Sequence, residues 1–252
     1  MAIDWTAVAR EVADGVRLTA IRHDEAAEDA LEAALKGRGF CARVFSEERG
    51  GRTVGSGTPS GLLLYDPVDG SNNLLRAIPY YATSLAWVPN GSPETLGGVE
   101  EGVVLEIPRG ELYWARKGKG AAWDGRALGP GASGPRLPKP LIALYAYGAK
   151  GPLPDLQPLL EGCLVRTPGA ISLDLCLLAR GAFDAVVDLR GLLRSFDVAA
   201  GLLIAREAGC VVSDSEGKEF NPGAREEGFN LVAARSRELH DALFGMLGRP
   251  RA

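Results

Sequence analysis

Leu62-Leu63-Leu64-Tyr65-Asp66-Pro67-Val68-Asp69-Gly70-Ser71-Asn72-Asn73 is the stretch from which the rest of the chain is read. Four apolar residues cut off by Asp66-Pro67 read as a strand buried on both faces. Its C-terminal end delivers Asp66 and Asp69 on a turn that opens into a short helix. Carboxylates this crowded disfavour each other's ionised form. A hard divalent cation relieves that repulsion, and Mg²⁺ is held by a few carboxylates together with water and substrate phosphate. The amides of Gly70, Ser71 and Asn72 at the helix start suit a phosphate. An Asp-rich cap on a strand end is the competing reading, and the fragment alone leaves both open.

Upstream, Trp5, Val8, Val12 and Val16 recur at helical spacing within Asp4–Thr19, and Asp24–Leu35 reads as a second helix. Cys41–Phe45 reads as a strand leading to Ser46-Glu47-Glu48, and Arg49–Gly61 as a flexible Gly/Ser/Thr-rich loop. Downstream, strands are expected at Tyr80–Val88, Val99–Ile107 and Glu111–Ala115. The Pro/Gly-rich run Pro130–Pro140 marks a lobe boundary, dividing the chain into 1–135 and 136–252. Strand and helix then alternate: strands at Leu141–Tyr147, Leu164–Arg166, Phe183–Asp188, Val211–Ser213 and Asn230–Ala233, and helices near Asp155–Leu160, Ala170–Ala179, Val198–Ala208 and Ser236–Leu247. An α+β lobe followed by an α/β lobe predicts stacked layers with a cleft between them.

Composition narrows the chemistry. The 252 residues carry a formal charge of −4 and no Lys/Arg block, so no nucleic-acid partner is expected. No apolar run approaches the ~20 residues of a membrane span. The N-terminus lacks the pattern of an export signal. The four cysteines are scattered in apolar surroundings and read as free thiols of a reducing cytoplasm. With two histidines only, a multi-histidine site is excluded, and any metal must be held by oxygen. Asp-x-x-Asp with proline between does not fit an Asp-x-Asp phosphoaspartate nucleophile. Gly118-Lys119-Gly120 lacks the ending of a P-loop. Alone, Asp197 reads as the N-cap of an apolar helix and Glu47 as surface charge.

Taken together, Ser46-Glu47-Glu48, Asp66-Pro-Val-Asp-Gly-Ser71, Ala115-Arg-Lys-Gly-Lys-Gly-Ala121 and Phe196-Asp197-Val-Ala-Ala-Gly201 follow one another in a specific order. In that order and spacing the chain resembles the inositol monophosphatase family, whose superfamily also includes fructose-1,6-bisphosphatases and phosphoadenosine phosphatases. The resemblance implies a layered αβαβα sandwich of two lobes with metals in the cleft, and a homodimer. It implies Mg²⁺, two or three ions with Mn²⁺ as a substitute. Glu47, Asp66 and the Val68 carbonyl would hold one ion, and Asp66, Asp69 and Asp197 a second, with Glu48 supporting a weaker site. Ser71 with Asp24 would orient the attacking water, although Asp24 also reads as a helix N-cap. Phosphate would meet amides at Gly70–Ser71 and at Gly169, Ala170 and Ile171. Phe196 stands where the family commonly has tryptophan.

Asp188-Leu-Arg190 is similar to archaeal-type members that accept both inositol 1-phosphate and fructose 1,6-bisphosphate. An arginine fork suits a second phosphate, while a surface charge after a strand is the plain alternative for Arg190. Arg166 is a weaker candidate for the same task. The resemblance therefore implies a small sugar or cyclitol phosphate as substrate. A nucleotide 3′-phosphatase, or a regulatory protein associated with RNA or RNA polymerase, would share the metal ligands.

Overall fold

The computed structural model describes residues 3–18, 23–129 and 137–248. Helix α1 (Trp5–Arg17) is capped by Asp4, whose carboxylate accepts from the amides of Thr6 and Ala7 at 3.0 and 3.2 Å. Its buried stripe of Trp5, Val8, Val12 and Val16 packs beside α2 (His23–Gly37).

Eight strands form the first sheet: β1 (Ala42–Ser46), β2 (Gly50–Val54), β3 (Gly61–Asp69), β4 (Ala82–Pro89), β5 (Glu101–Glu106), β6 (Leu112–Arg116), β7 (Gly120–Trp123) and β8 (Arg126–Leu128). Their order is β2-β1-β3-β4-β5-β6-β7-β8, and every pairing is antiparallel except β1 with β3. The short helix α3 (Ser71–Leu75) follows β3 directly. Two expectations are corrected here. The loop expected over Arg49–Gly61 contains β2, an edge strand paired to β1 from Gly50 to Val54. The strand expected to stop at Asp66-Pro67 runs on to Asp69, because a bulge absorbs the proline. Gly118-Lys119-Gly120 is the turn from β6 into β7, and the amides of Gly118 and Gly120 donate to Glu207, each at 2.8 Å.

The second sheet contains β9 (Leu141–Tyr145), β10 (Leu164–Arg166), β11 (Ala185–Arg194), β12 (Val211–Ser213) and β13 (Glu227–Ala234), in the order β10-β9-β11-β13-β12. The remaining helices are α4 (Gln157–Gly162), α5 (Ile171–Arg180), α6 (Ser195–Glu207) and α7 (Arg237–Met246). Helices α5 and α6 are buried almost all round, as a helix between two sheets must be. Their side chains share one core with β3, β4 and β5 on one side and β9, β11 and β13 on the other. Helices α1 and α2 cover the outer face of the first sheet, and α4 and α7 that of the second. The layers therefore run αβαβα. The expected lobe boundary at 135–136 lies outside the described residues.

Candidate active site

Residues i and i+3 of a regular strand point to opposite faces. On β3, Asp66 pairs with Ser84 and Asp69 with Ala82, so three steps on one strand match two on the other. This extra residue brings both aspartates and Val68 to the same cavity. Gly70 then turns the chain with φ +93°; a Cβ there would lie 3.0 Å from the Tyr80 carbonyl and 3.2 Å from Ala170 Cβ. Asn73 in α3 donates to the carbonyls of Tyr80 and Pro168, both at 2.8 Å, tying the turn to the second sheet's loops.

Asp69 is held across the cleft. Its carboxylate accepts from the amides of Ile171 and Ser172 at 3.2 and 2.7 Å, and from the Ser172 hydroxyl at 2.6 Å. Helix α6 presents Asp197 in its first turn rather than as the N-cap; Arg194 is the N-cap, and its amide donates to Asp197 at 2.8 Å. The Arg194 guanidinium also pairs with Asp197 at 3.0 Å and with Glu47 at 2.6 Å. Glu47 follows Ser46 at the end of β1. The Ser46 hydroxyl donates to fully buried Glu28 at 2.5 Å and accepts from Arg52 of β2 at 2.9 Å.

These elements enclose a cavity of about 250 Å³ lined by Glu47, Asp66, Val68, Asp69, Gly70, Ser71 and Asp197, and by Tyr145, Tyr147, Gly169, Ile171, Arg190 and Arg194. Burial, and then the charges of Asp69, Asp197 and Glu47, push the Asp66 carboxyl far above its usual range. Burial pushes Asp69 up to about 7 against the opposing hydrogen bonds from Ser172. Asp197 is raised by burial despite Arg194 beside it. One oxygen of Asp66 is buried and makes no hydrogen bond among the described residues. An orphaned carboxylate oxygen among other carboxylates, in a cavity whose described lining contains no histidine or cysteine, fits a hard divalent cation. Among the described residues no three acidic, histidine or cysteine side chains stand as a ready-made ligand cluster. The Arg194 fork lies between two of the acids.

The other expected residues are placed as follows. Asp24 is half-buried in the first turn of α2. Its carboxyl is raised by burial and then by Glu47; Glu48 is raised by burial and then by Asp24 and Glu47. Neither lines the cavity. Asp188 is fully buried, and the Arg190 guanidinium takes it at 2.6 and 3.0 Å, so Asp188 reaches the cavity only through Arg190. The register of β11 breaks after Asp188, which turns Arg190 over the rings of Tyr145 and Tyr147 at 4.7 and 5.0 Å. The amides of Gly169 and Ile171 are used internally, by the Tyr145 hydroxyl and by Asp69. Ala170 is buried behind them. Arg166 lies exposed on edge strand β10, away from the cavity. Sequence reasoning assigned no role to Arg194, Tyr145, Tyr147, Asn73 or Ser172. The Asn72-Asn73 pair beside the acidic turn was the one local signal among them.

The layered fold matches that of solved inositol monophosphatase structures, and the relatives that the chain resembles are phosphatases. A model of the inositol monophosphatase family matches residues 8–247, and the chain belongs to that family. The fructose-1,6-bisphosphatase/inositol-1-monophosphatase of Methanothermobacter thermautotrophicus is 35% identical over 237 residues, covering 89% of this chain and 81% of that one. The enzyme of the same description from Thermococcus kodakarensis is 34% identical over 230 residues, covering 90% of this chain and 82% of that one. A solved Pyrococcus horikoshii protein, described as having similarities to inositol-1 monophosphatase, superposes with a TM-score of 0.79 at 29% identity, covering 100% of both chains.

Proposed function

We propose that the chain hydrolyses inositol 1-phosphate and fructose 1,6-bisphosphate with Mg²⁺ held by Glu47, Asp66, Asp69, Asp197 and the Val68 carbonyl. The charge of the cavity carries this reading. Four carboxylates face it against two guanidiniums, Arg190 and Arg194, so an anionic phosphate enters only when added cations outweigh the acids. Its volume of about 250 Å³ favours a small polar ester over a nucleotide.

Divalent cations at this site supply the acidity that makes water nucleophilic near neutral pH, and offset the charge building on the leaving oxygen. The chain's own residues position the reactants. Asp69 is fixed by the first amides of α5, so it cannot drift as charge moves. Gly70 and Ser71 line the cavity with no bulky side chain in the way of a phosphoryl group. Ser71 and Asp24 form the proposed water-orienting pair, with Asp24 kept close to Glu47. Arg190 spends three of its five N–H donors on Asp188 and Tyr147 and keeps two for a substrate anion. A phosphate on the far end of fructose 1,6-bisphosphate would use those two.

The test is kcat/KM for inositol 1-phosphate, fructose 1,6-bisphosphate and 3′-phosphoadenosine 5′-phosphate with Mg²⁺, in wild type and Arg190→Ala. Comparable turnover of the first two is expected, with Arg190→Ala losing about tenfold or more on the bisphosphate and less on inositol 1-phosphate. Turnover confined to the nucleotide would overturn the substrate assignment.

A further inference from the structure

We propose that Arg194 is a built-in competitor for the metals: its guanidinium cross-links Glu47 and Asp197, and divalent cations must displace it to bind either carboxylate. This rests on the metal-site reading above. A single nitrogen, Nη2, lies 2.6 Å from Glu47 Oε1 and 3.0 Å from Asp197 Oδ1. Those two oxygens come from different layers, one just past the end of β1 in the first sheet and the other in the first turn of the central helix α6. The nitrogen therefore engages one ligand oxygen proposed for each of the two ions. Mg²⁺ requires ligand oxygens at about 2.0–2.1 Å, which leaves no room for a guanidinium nitrogen in the same place. Two cations at one point would also repel.

The site is built to let the fork go and keep the residue. The Arg194 amide donates to Asp197 Oδ2 at 2.8 Å, while Nε reaches the same oxygen at a longer 3.3 Å. The side chain stacks on the Phe196 ring at 4.6 Å, a flat surface over which the fork can pivot without losing its contact. Without a cation, the fork offsets the repulsion of carboxylates that face each other across the cleft. Once displaced it remains on the cavity wall as a bidentate donor for an anion. Arg194 thus lowers metal affinity while keeping the two halves of the site together.

The experiment counts free Mn²⁺ by electron paramagnetic resonance as the stripped protein is titrated, with no substrate present. Wild type, Arg194→Met, Arg194→Lys and Asp197→Asn are compared, and melting in EDTA is followed in parallel. Arg194→Met should bind Mn²⁺ roughly tenfold tighter while melting lower in EDTA, the reverse of what loss of a ligand or of packing would do. Arg194→Lys should fall between, since an ammonium lacks the planar fork. If the methionine variant does not fold in EDTA, the lysine variant decides by the same sign. Equal or weaker binding in the arginine variants would overturn the proposal and leave the metal site intact. No binding in any of the proteins would overturn the metal-site reading and this proposal with it.

Discussion

Asp174 lies beneath the cavity without lining it. Both of its oxygens accept tyrosine hydroxyls, from Tyr80 and Tyr145, and the Tyr145 hydroxyl in turn accepts from the Gly169 amide at 2.8 Å. Burial pushes this carboxyl from 3.8 up to about 7, against the two hydrogen bonds. In the unfolded chain it ionises at its ordinary value. Its contribution to stability is therefore present at low pH and is lost as pH rises towards 7, by at most about 1.4 kcal/mol per pH unit. Denaturant melts in EDTA at pH 5 and pH 7 should show a smaller pH difference for Asp174→Asn than for wild type. An unchanged difference would contradict the assignment. Ser172 offers a second residue-scale test. Removing its hydroxyl from Asp69 in Ser172→Ala should cost about 0.5–1.5 kcal/mol in a denaturant melt and weaken Mn²⁺ binding about 10-fold or more.

At the scale of elements, the bulge in β3 and the turn at Gly70 set the site. In Gly70→Ala the new Cβ meets the Tyr80 carbonyl at 3.0 Å in a backbone region hostile to alanine. The expected cost is about 1–3 kcal/mol, seen as a melting temperature lower by several degrees. Most elements announced themselves in the sequence. Continuous apolar runs marked β3, β9, β11 and the helix α6, and helical spacing marked α1. What escaped were elements whose stability comes from a neighbour. β2, with the sequence Gly-Gly-Arg-Thr-Val, has no apolar run because it is an edge strand held to β1 and pinned by Arg52. β7 and β8 are three or four residues long and sit at the opposite edge. The continuation of β11 past Asp188 passes through Gly191 and a register shift, which no period-2 pattern foretells.

At the scale of the molecule, five layers place the end of β1 and the bulge of β3 opposite the starts of α5 and α6. The acids Glu47, Asp66, Asp69 and Asp197 were legible because they sit in short, ordered motifs. The roles of Arg194, Tyr145 and Ser172 were not, since each depends on two distant segments meeting across the cleft. On the proposed ligand set, metal binding at this juxtaposition would stabilise the whole chain. Saturating Mg²⁺ at about 100 times its Kd should add ~2.7 kcal/mol and raise the melting temperature by about 5–10 °C, an effect that Asp197→Asn should largely lose. The most direct test of the central claim is phosphate release from inositol 1-phosphate and fructose 1,6-bisphosphate, measured with Mg²⁺ or EDTA for wild type and Asp197→Asn. Turnover in Mg²⁺ that drops about 100-fold or more in EDTA and in the variant is predicted. Undiminished turnover in either case would contradict it.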